Sequence, residues 1–167
     1  DSYYPVQVEK FLRRYETLTA ARDENAVRAL WSEEERTIAD EWLSHARAIR
    51  AERAAAAGEQ RPARLAELMQ SWGGVTIAYR RRMVDSPSYT LNHEEIQKAL
   101  EEGIRFAECL SPTAIDVDEH GHACAVRLAH QLRGEDGKWS RGGEIVLPAR
   151  SVLVAAGTQP NTVLARE

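Results

Sequence analysis

The sequence is poor in cysteine, lacks long apolar runs and carries no excess of positive charge. Its two cysteines are too few for the disulfide framework of a small secreted protein, so we expect a cytoplasmic protein. No apolar stretch approaches the roughly 20 residues of a membrane span, so no membrane partner is expected. Because 22 Lys and Arg stand against 26 Asp and Glu, nucleic acid is not expected as a partner either.

Glycine is nearly missing from one part of the chain. Gly58 is the one glycine in residues 1–72, whereas residues 73–167 contain nine. Glycine marks turns and loops, and it is a poor helix former. The composition therefore predicts two parts, which are a helical segment or bundle over 1–72 and an α/β segment over 73–167.

Apolar residues at spacings of three and four predict helices across residues 1–72. Ser32 and Glu35 form a capping-box pattern at the start of a long helix, which we expect to end at Gly58. Pro62 suits the first turn of a further helix. These helices pack into a small bundle, or one apolar stripe docks on a partner. The stripes in question are Val8, Phe11, Leu12, Tyr15 and Leu18, and Ile38, Trp42, Ala46 and Ile49.

A strand, a helix and a second strand are predicted at the start of the α/β segment. Residues 75–79 and 104–106 are the strand candidates, and the helix spans 94–102. This order within about 33 residues is typical of a βαβ unit, whose strands are parallel and joined by a right-handed crossover.

The remainder of the segment predicts an antiparallel hairpin or meander and one more strand. Residues 113–117 and 123–132 flank a turn at His120-Gly121, and 144–147 could add a third strand. The continuously apolar residues 151–156 are typical of a strand buried on both faces of a parallel sheet. The predicted fold class is therefore α/β, a partial parallel sheet with an antiparallel hairpin, preceded by an all-helical segment.

Arginines follow the first strand candidate directly after Tyr79, at Arg80, Arg81 and Arg82. At this strand end of a dinucleotide-binding βαβ fold, an acid binds the free 2′-hydroxyl of NAD, whereas an arginine accommodates the 2′-phosphate of NADP. Guanidinium suits phosphate because its planar donors engage two oxygens at once. A solvated basic loop is the simpler interpretation of the same residues.

The last apolar strand candidate ends at Gly157, in the sequence Ala155-Ala156-Gly157. Without a Cβ atom, Gly157 would let a flat cofactor or another backbone approach closely.

Taken in order, three stretches resemble the FAD- and NAD(P)H-dependent pyridine nucleotide–disulfide oxidoreductase superfamily, most of all its glutamate synthase small-subunit branch. The stretches are 75–81, 94–104 and 147–161. The resemblance implies that 73–167 is a partial, Rossmann-like NAD(P)H-binding domain returning towards an FAD domain. It also implies that residues 1–72 are a helical insertion.

In that branch, hydride passes from NADPH to FAD, and electrons continue to a partner redox centre. The resemblance implies that Arg80 and Arg81 bind the adenosine 2′-phosphate and that Arg82 is a weaker candidate. The other cofactor-binding positions that it implies are Tyr79 at the adenosine edge, and Ala156 and Gly157 beside the dinucleotide.

The sequence departs from this family in lacking any G-x-G-x-x-G motif, so the glycine turns that hold the pyrophosphates of NADP(H) and FAD are missing. We therefore expect a fragment that is not catalytic alone and binds neither cofactor tightly. Its partners would be the remaining FAD and NAD(P) domains of a parent chain, and a redox partner domain or subunit.

Other chemistry is less well supported by the residues. Cys109 and Cys124 lack the close spacing of a redox pair, which disfavours a thiol–disulfide reductase. Three potential metal ligands alternate near a turn, at His120, His122 and Cys124. A tetrahedral site needs a fourth ligand, and none is obvious in the sequence, so no metal site is predicted. No catalytic residue is assigned. The rival hypothesis is a helical protein–protein interaction module on an inert α/β scaffold.

Overall fold

The computed structural model describes residues 3–155, apart from the side chains of Pro87 and Ser88. The described residues form two compact units, a helical unit over 3–76 and 91–105 and a sheet unit over 77–90 and 106–155. The predicted α/β class is confirmed. The helices are α1 Tyr3–Ala21, α2 Glu24–Arg28, α3 Glu33–Gly58, α4 Leu65–Ser71, α5 Pro87–Leu91 and α6 His93–Glu101, with a 3₁₀ turn at Met83–Asp85. The strands are β1 Thr76–Ala78, β2 Arg105–Ala107, β3 Leu110–Val117, β4 Ala123–Arg133 and β5 Trp139–Pro148.

The core of the helical unit lies where α1 packs on α3. The predicted α1 stripe is buried at Val8, Leu12 and Tyr15, but Leu18 is half exposed. Within the helical unit, buried residues of α1 therefore pack against Leu43, Ala46 and Ile49 of α3. The buried residues of this core are Val8, Leu12, Tyr15, Val27, Leu43, Ala46 and Ile49.

The predicted stripe of α3 is wrong in part. Leu43 is buried, at 2% exposure, while Trp42 lies at the edge of the core with 38% exposed. The edge of the Trp42 ring meets Phe11, with 5.4 Å between ring centroids. The buried residues Ala39, Leu43, Ala46 and Ile49 also recur at spacings of three and four, so periodicity alone did not distinguish Leu43 from Trp42.

The ends of α3 follow the local signals in the sequence. The Ser32 hydroxyl accepts from the Glu35 N–H at 3.1 Å, and the Glu35 carboxylate accepts from the Ser32 N–H at 2.8 Å. This capping box is confirmed, and so is the end of the helix at Gly58.

The helix predicted to start near Pro62 instead begins at Leu65. The Glu52 carboxylate accepts from the Arg61 guanidinium at 2.5 Å and from the Arg64 N–H at 2.8 Å, and these bonds hold the chain in a loop. The bond from Arg61 lowers the pKa of Glu52 to about 2. Arg61 and Arg64 are 9 and 12 positions after Glu52, so apolar spacings of three and four could not predict these contacts.

Strands β1 and β2 form a two-stranded parallel sheet, as the βαβ pattern predicted. The Arg105 N–H donates to the Val75 carbonyl and the Tyr79 N–H to the Ala107 carbonyl, each at 2.9 Å. The short helix α5, between these strands, was not predicted.

Strands β3, β4 and β5 form an antiparallel meander in that order. The predicted hairpin is confirmed, and β5 is longer than the predicted 144–147 because it extends back to Trp139. Leu110, Val126 and Leu128 are the buried residues of its core, against which Leu147 packs.

The strand predicted at 151–156 is wrong over its described residues. Residues 151–155 form no strand, and Leu153 and Val154 are 93% and 82% exposed. A strand buried on both faces needs parallel neighbours and cover, and this segment pairs with neither β1 nor β2. An apolar run alone does not specify such a strand.

Among the described helices, none combines the length and apolar character of a membrane span.

Candidate functional site

The predicted arginines emerge from the carboxyl end of a parallel strand. The backbone beyond β1 is fixed by two further bonds, since the Leu110 N–H donates to the Tyr79 carbonyl at 2.9 Å and the Cys109 N–H donates to the Arg81 carbonyl at 3.1 Å. Residues 79–81 therefore continue beside the chain that leaves β2, all within the sheet unit. In parallel sheets this edge is where ligands bind.

Arg81 lies over an aromatic ring that the sequence pattern missed. Its guanidinium carbon is 4.9 Å from the centroid of the Trp139 indole, a cation–π distance. Arg133 lies over the same ring at 6.0 Å. Arg133 and Trp139 are paired across β4 and β5. The loop between the two residues is Gly134–Lys138, and its glycines were the sequence signal for a turn that brings Arg133 and Trp139 opposite each other.

Arg82 is already paired. Its Nε and Nη2 atoms donate to the two carboxylate oxygens of Asp85, both at 2.9 Å. These bonds raise the pKa of Arg82 and lower the pKa of Asp85. The other nearby acid, Glu108, accepts the Met83 N–H at 2.5 Å. Arg82 is therefore engaged by protein and is the poorest ligand among the three arginines.

The guanidinium groups of Arg80, Arg81 and Arg133 have no direct carboxylate partner in the described part of the chain, although the charge of Arg133 helps to lower the pKa of Asp85. Across residues 3–155, no ion pair joins any of them to a carboxylate. Arg80 is exposed, and Tyr79 and Arg81 are half-buried. A guanidinium group without a carboxylate partner can bind an anionic ligand. Phosphate suits it well, because two phosphate oxygens can accept two parallel N–H bonds from one guanidinium.

Two predicted site residues, Ala156 and Gly157, lie outside the described residues, so their roles remain predictions. Both cysteines are free; Cys109 is half-buried and Cys124 is exposed. Within the described ranges, no three His, Cys, Asp or Glu side chains lie close enough together to hold a metal ion.

No family model matches the chain. “Uncharacterized protein RP006” of Rickettsia prowazekii is 33% identical over 127 residues, which are 76% of this chain and 15% of that protein. A match of that length is longer than residues 73–167, so it extends into the helical segment.

Two proteins of Escherichia coli match about half of the chain. “Putative oxidoreductase AegA” is 34% identical over 94 residues, which are 52% of this chain and 14% of that protein. “Glutamate synthase [NADPH] small chain” is 33% identical over 96 residues, which are 53% of this chain and 20% of that protein. The chain thus spans a fifth or less of each of these relatives. The two Escherichia coli matches relate the chain, over a short segment of each of those proteins, to an oxidoreductase family.

Proposed function

We propose that residues 73–167 form part of the NADPH-binding site of a larger, cytoplasmic, flavin-dependent oxidoreductase of the glutamate synthase small-subunit branch. Arg80 and Arg81 bind the adenosine 2′-phosphate. The observation that carries this proposal is the pair of arginines without carboxylate partners at the carboxyl end of the parallel strand β1.

The charge at this strand end favours NADP(H) over NAD(H). An acidic side chain here would repel a 2′-phosphate. Within residues 3–155 neither Arg80 nor Arg81 pairs with a carboxylate, and the Asp85 carboxylate is hydrogen-bonded by Arg82. Arg80 and Arg81 can offer several N–H donors to one phosphate. The printed name of one relative, a glutamate synthase small chain, specifies NADPH and supports the same coenzyme.

The residues present do not fit FAD. A flavin dinucleotide needs a glycine-rich turn before a helix, and no G-x-G-x-x-G motif occurs in the sequence. Other segments of the parent enzyme would hold the flavin, which accepts the hydride, and a further redox centre would receive the electrons. Within this chain, Arg80 and Arg81 bind and orient the adenosine end of NADPH.

Binding of small nucleotide fragments tests the proposal on this chain. We expect 2′,5′-ADP to bind weakly, yet at least about tenfold more tightly than 5′-AMP, because each charge-assisted bond contributes roughly 1.5–3 kcal/mol. The preference should shrink below about pH 6, where the 2′-phosphate becomes a monoanion. Isothermal titration calorimetry measures both affinities.

The matched control ligand is 3′,5′-ADP, which has the same charge as 2′,5′-ADP and differs in the position of one phosphate. Equal binding of 2′,5′-ADP and 3′,5′-ADP would show attraction by charge alone and would refute a 2′-phosphate site. Equal binding of 2′,5′-ADP and 5′-AMP would refute it as well.

A further inference from the structure

We propose that the end of the β4–β5 hairpin supplies the second half of this phosphate site. Trp139 is a positioning residue that holds the Arg81 guanidinium, and Arg133 is a further ligand of the same phosphate. This inference rests on the proposed function of Arg80 and Arg81. It assigns roles to Arg133 and Trp139, which lie outside the three stretches that resemble the oxidoreductase superfamily.

The hairpin holds Arg133 and Trp139 in a fixed geometry. The two residues are opposite each other in the antiparallel register of β4 and β5. The turn between them is closed by the Gly134 N–H, which donates to the Lys138 carbonyl at 2.8 Å. Directly opposite residues in an antiparallel pair have Cβ atoms about 5 Å apart, so the side chains of Arg133 and Trp139 lie next to each other at the end of the hairpin.

The backbone of Arg81 is tied to the same hairpin. The Arg81 carbonyl accepts from the Cys109 N–H at 3.1 Å, and the Cys109 carbonyl accepts from the Gln131 N–H at 2.6 Å. Gln131 is on β4, two residues before Arg133. A chain of backbone bonds therefore fixes the distance between the end of β1 and the hairpin.

The contact with the indole leaves donors of Arg81 available for a ligand. The guanidinium carbon lies 4.9 Å from the Trp139 centroid, and a guanidinium has five N–H donors, none of which the contact pairs with an acceptor oxygen. An exposed arginine loses rotamer freedom when it binds a ligand, and holding it beforehand reduces that loss. Trp139 thus prepares Arg81 to bind an anion without competing for its donors.

Two guanidinium groups beside one ring also repel each other. Arg81 and Arg133 lie 4.9 and 6.0 Å from the Trp139 centroid, and no carboxylate of residues 3–155 pairs with either. The Asp85 carboxylate, whose pKa the charge of Arg133 also lowers, is hydrogen-bonded by Arg82. A 2′-phosphate that contacts both guanidinium groups would relieve this repulsion. The neutral 2′-hydroxyl of 5′-AMP carries no charge with which to do so.

The test measures the affinity ratio of 2′,5′-ADP to 5′-AMP in variants of the full 167-residue chain. Trp139→Leu keeps apolar bulk but removes the aromatic face, and we expect the preference for 2′,5′-ADP to fall about fivefold. Trp139→Phe keeps an aromatic face and should restore most of it. Arg133→Ala should lower the preference about tenfold.

The matched control is Arg141→Ala, which removes the same charge from β5, two residues from Trp139, and should leave the ratio within about twofold. Circular dichroism verifies folding, and if Trp139→Leu does not fold, Trp139→Phe and Arg133→Ala decide. A wild-type ratio in folded Trp139→Leu or in Arg133→Ala, or a higher ratio in either, overturns the inference. The double variant Arg80→Ala with Arg81→Ala then separates this inference from the proposed function. If the double variant abolishes the preference for 2′,5′-ADP, the proposed function stands although this inference is overturned. If the preference persists in the double variant, the inference and the proposed function both fail.

Discussion

If residues 73–167 belong to the flavin-dependent oxidoreductase that we propose, replacing Arg80 and Arg81 together with alanine in that enzyme is expected to lower kcat/KM for NADPH at least about 100-fold. The change should leave kcat/KM for NADH within about threefold. Each lost charge-assisted bond to phosphate costs roughly 1.5–3 kcal/mol, and NADH carries a hydroxyl where NADPH carries that phosphate. Steady-state kinetics with each coenzyme give the two values, and the loss should appear mainly in KM.

A double variant with the same loss of charge serves as the control. Arg127 and Arg141 belong to the same unit but are paired with Asp116 and Glu144. Arg127→Ala with Arg141→Ala should change the coenzyme preference by less than about threefold. A similar loss of NADPH activity in both double variants would mean that net charge, and not the strand end, selects the coenzyme.

Leu43→Ala is expected to lower the free energy of unfolding of the helical unit by about 3 kcal/mol. Leu43 is 2% exposed and belongs to the core between α1 and α3. Truncating a buried leucine to alanine removes apolar contacts and leaves a cavity, at a typical cost of roughly 2–5 kcal/mol. Urea denaturation followed by tryptophan emission measures the change.

The same substitution at an exposed position is the control for this effect. Leu30 is 79% exposed, so Leu30→Ala should change stability by less than about 0.5 kcal/mol. A Trp139→Phe background leaves Trp31, Trp42 and Trp72, all in the helical unit, as the reporters. Equal effects of Leu43→Ala and Leu30→Ala would contradict the assigned core.

Features encoded by neighbouring residues could be predicted from the sequence. The capping box at Ser32 and Glu35 and the end of α3 at Gly58 depend on a few adjacent positions, and the structure has both. The β3–β4 hairpin follows from strand patterns on both sides of a turn. The parallel pair β1–β2 was predicted from the order of a strand, a helix and a second strand.

Features that depend on distant partners could not be predicted. The start of α4 is set by Glu52, which contacts Arg61 and Arg64 across a loop. Trp139 is 58 positions after Arg81, and no periodic pattern connects them. The apolar residues 151–155 show the reverse error, because composition alone suggested a buried strand that the described structure does not form.

Arginine side-chain resonances provide the most direct test of phosphate binding at the end of β1. In a ¹⁵N-labelled chain titrated with 2′,5′-ADP, the Nε signals of Arg80 and Arg81 should shift saturably, while the Nε signal of the paired Arg127 should stay in place. The same signals should move far less with 3′,5′-ADP. Unchanged Nε signals at both Arg80 and Arg81, up to the highest concentration of 2′,5′-ADP, would contradict the proposed site.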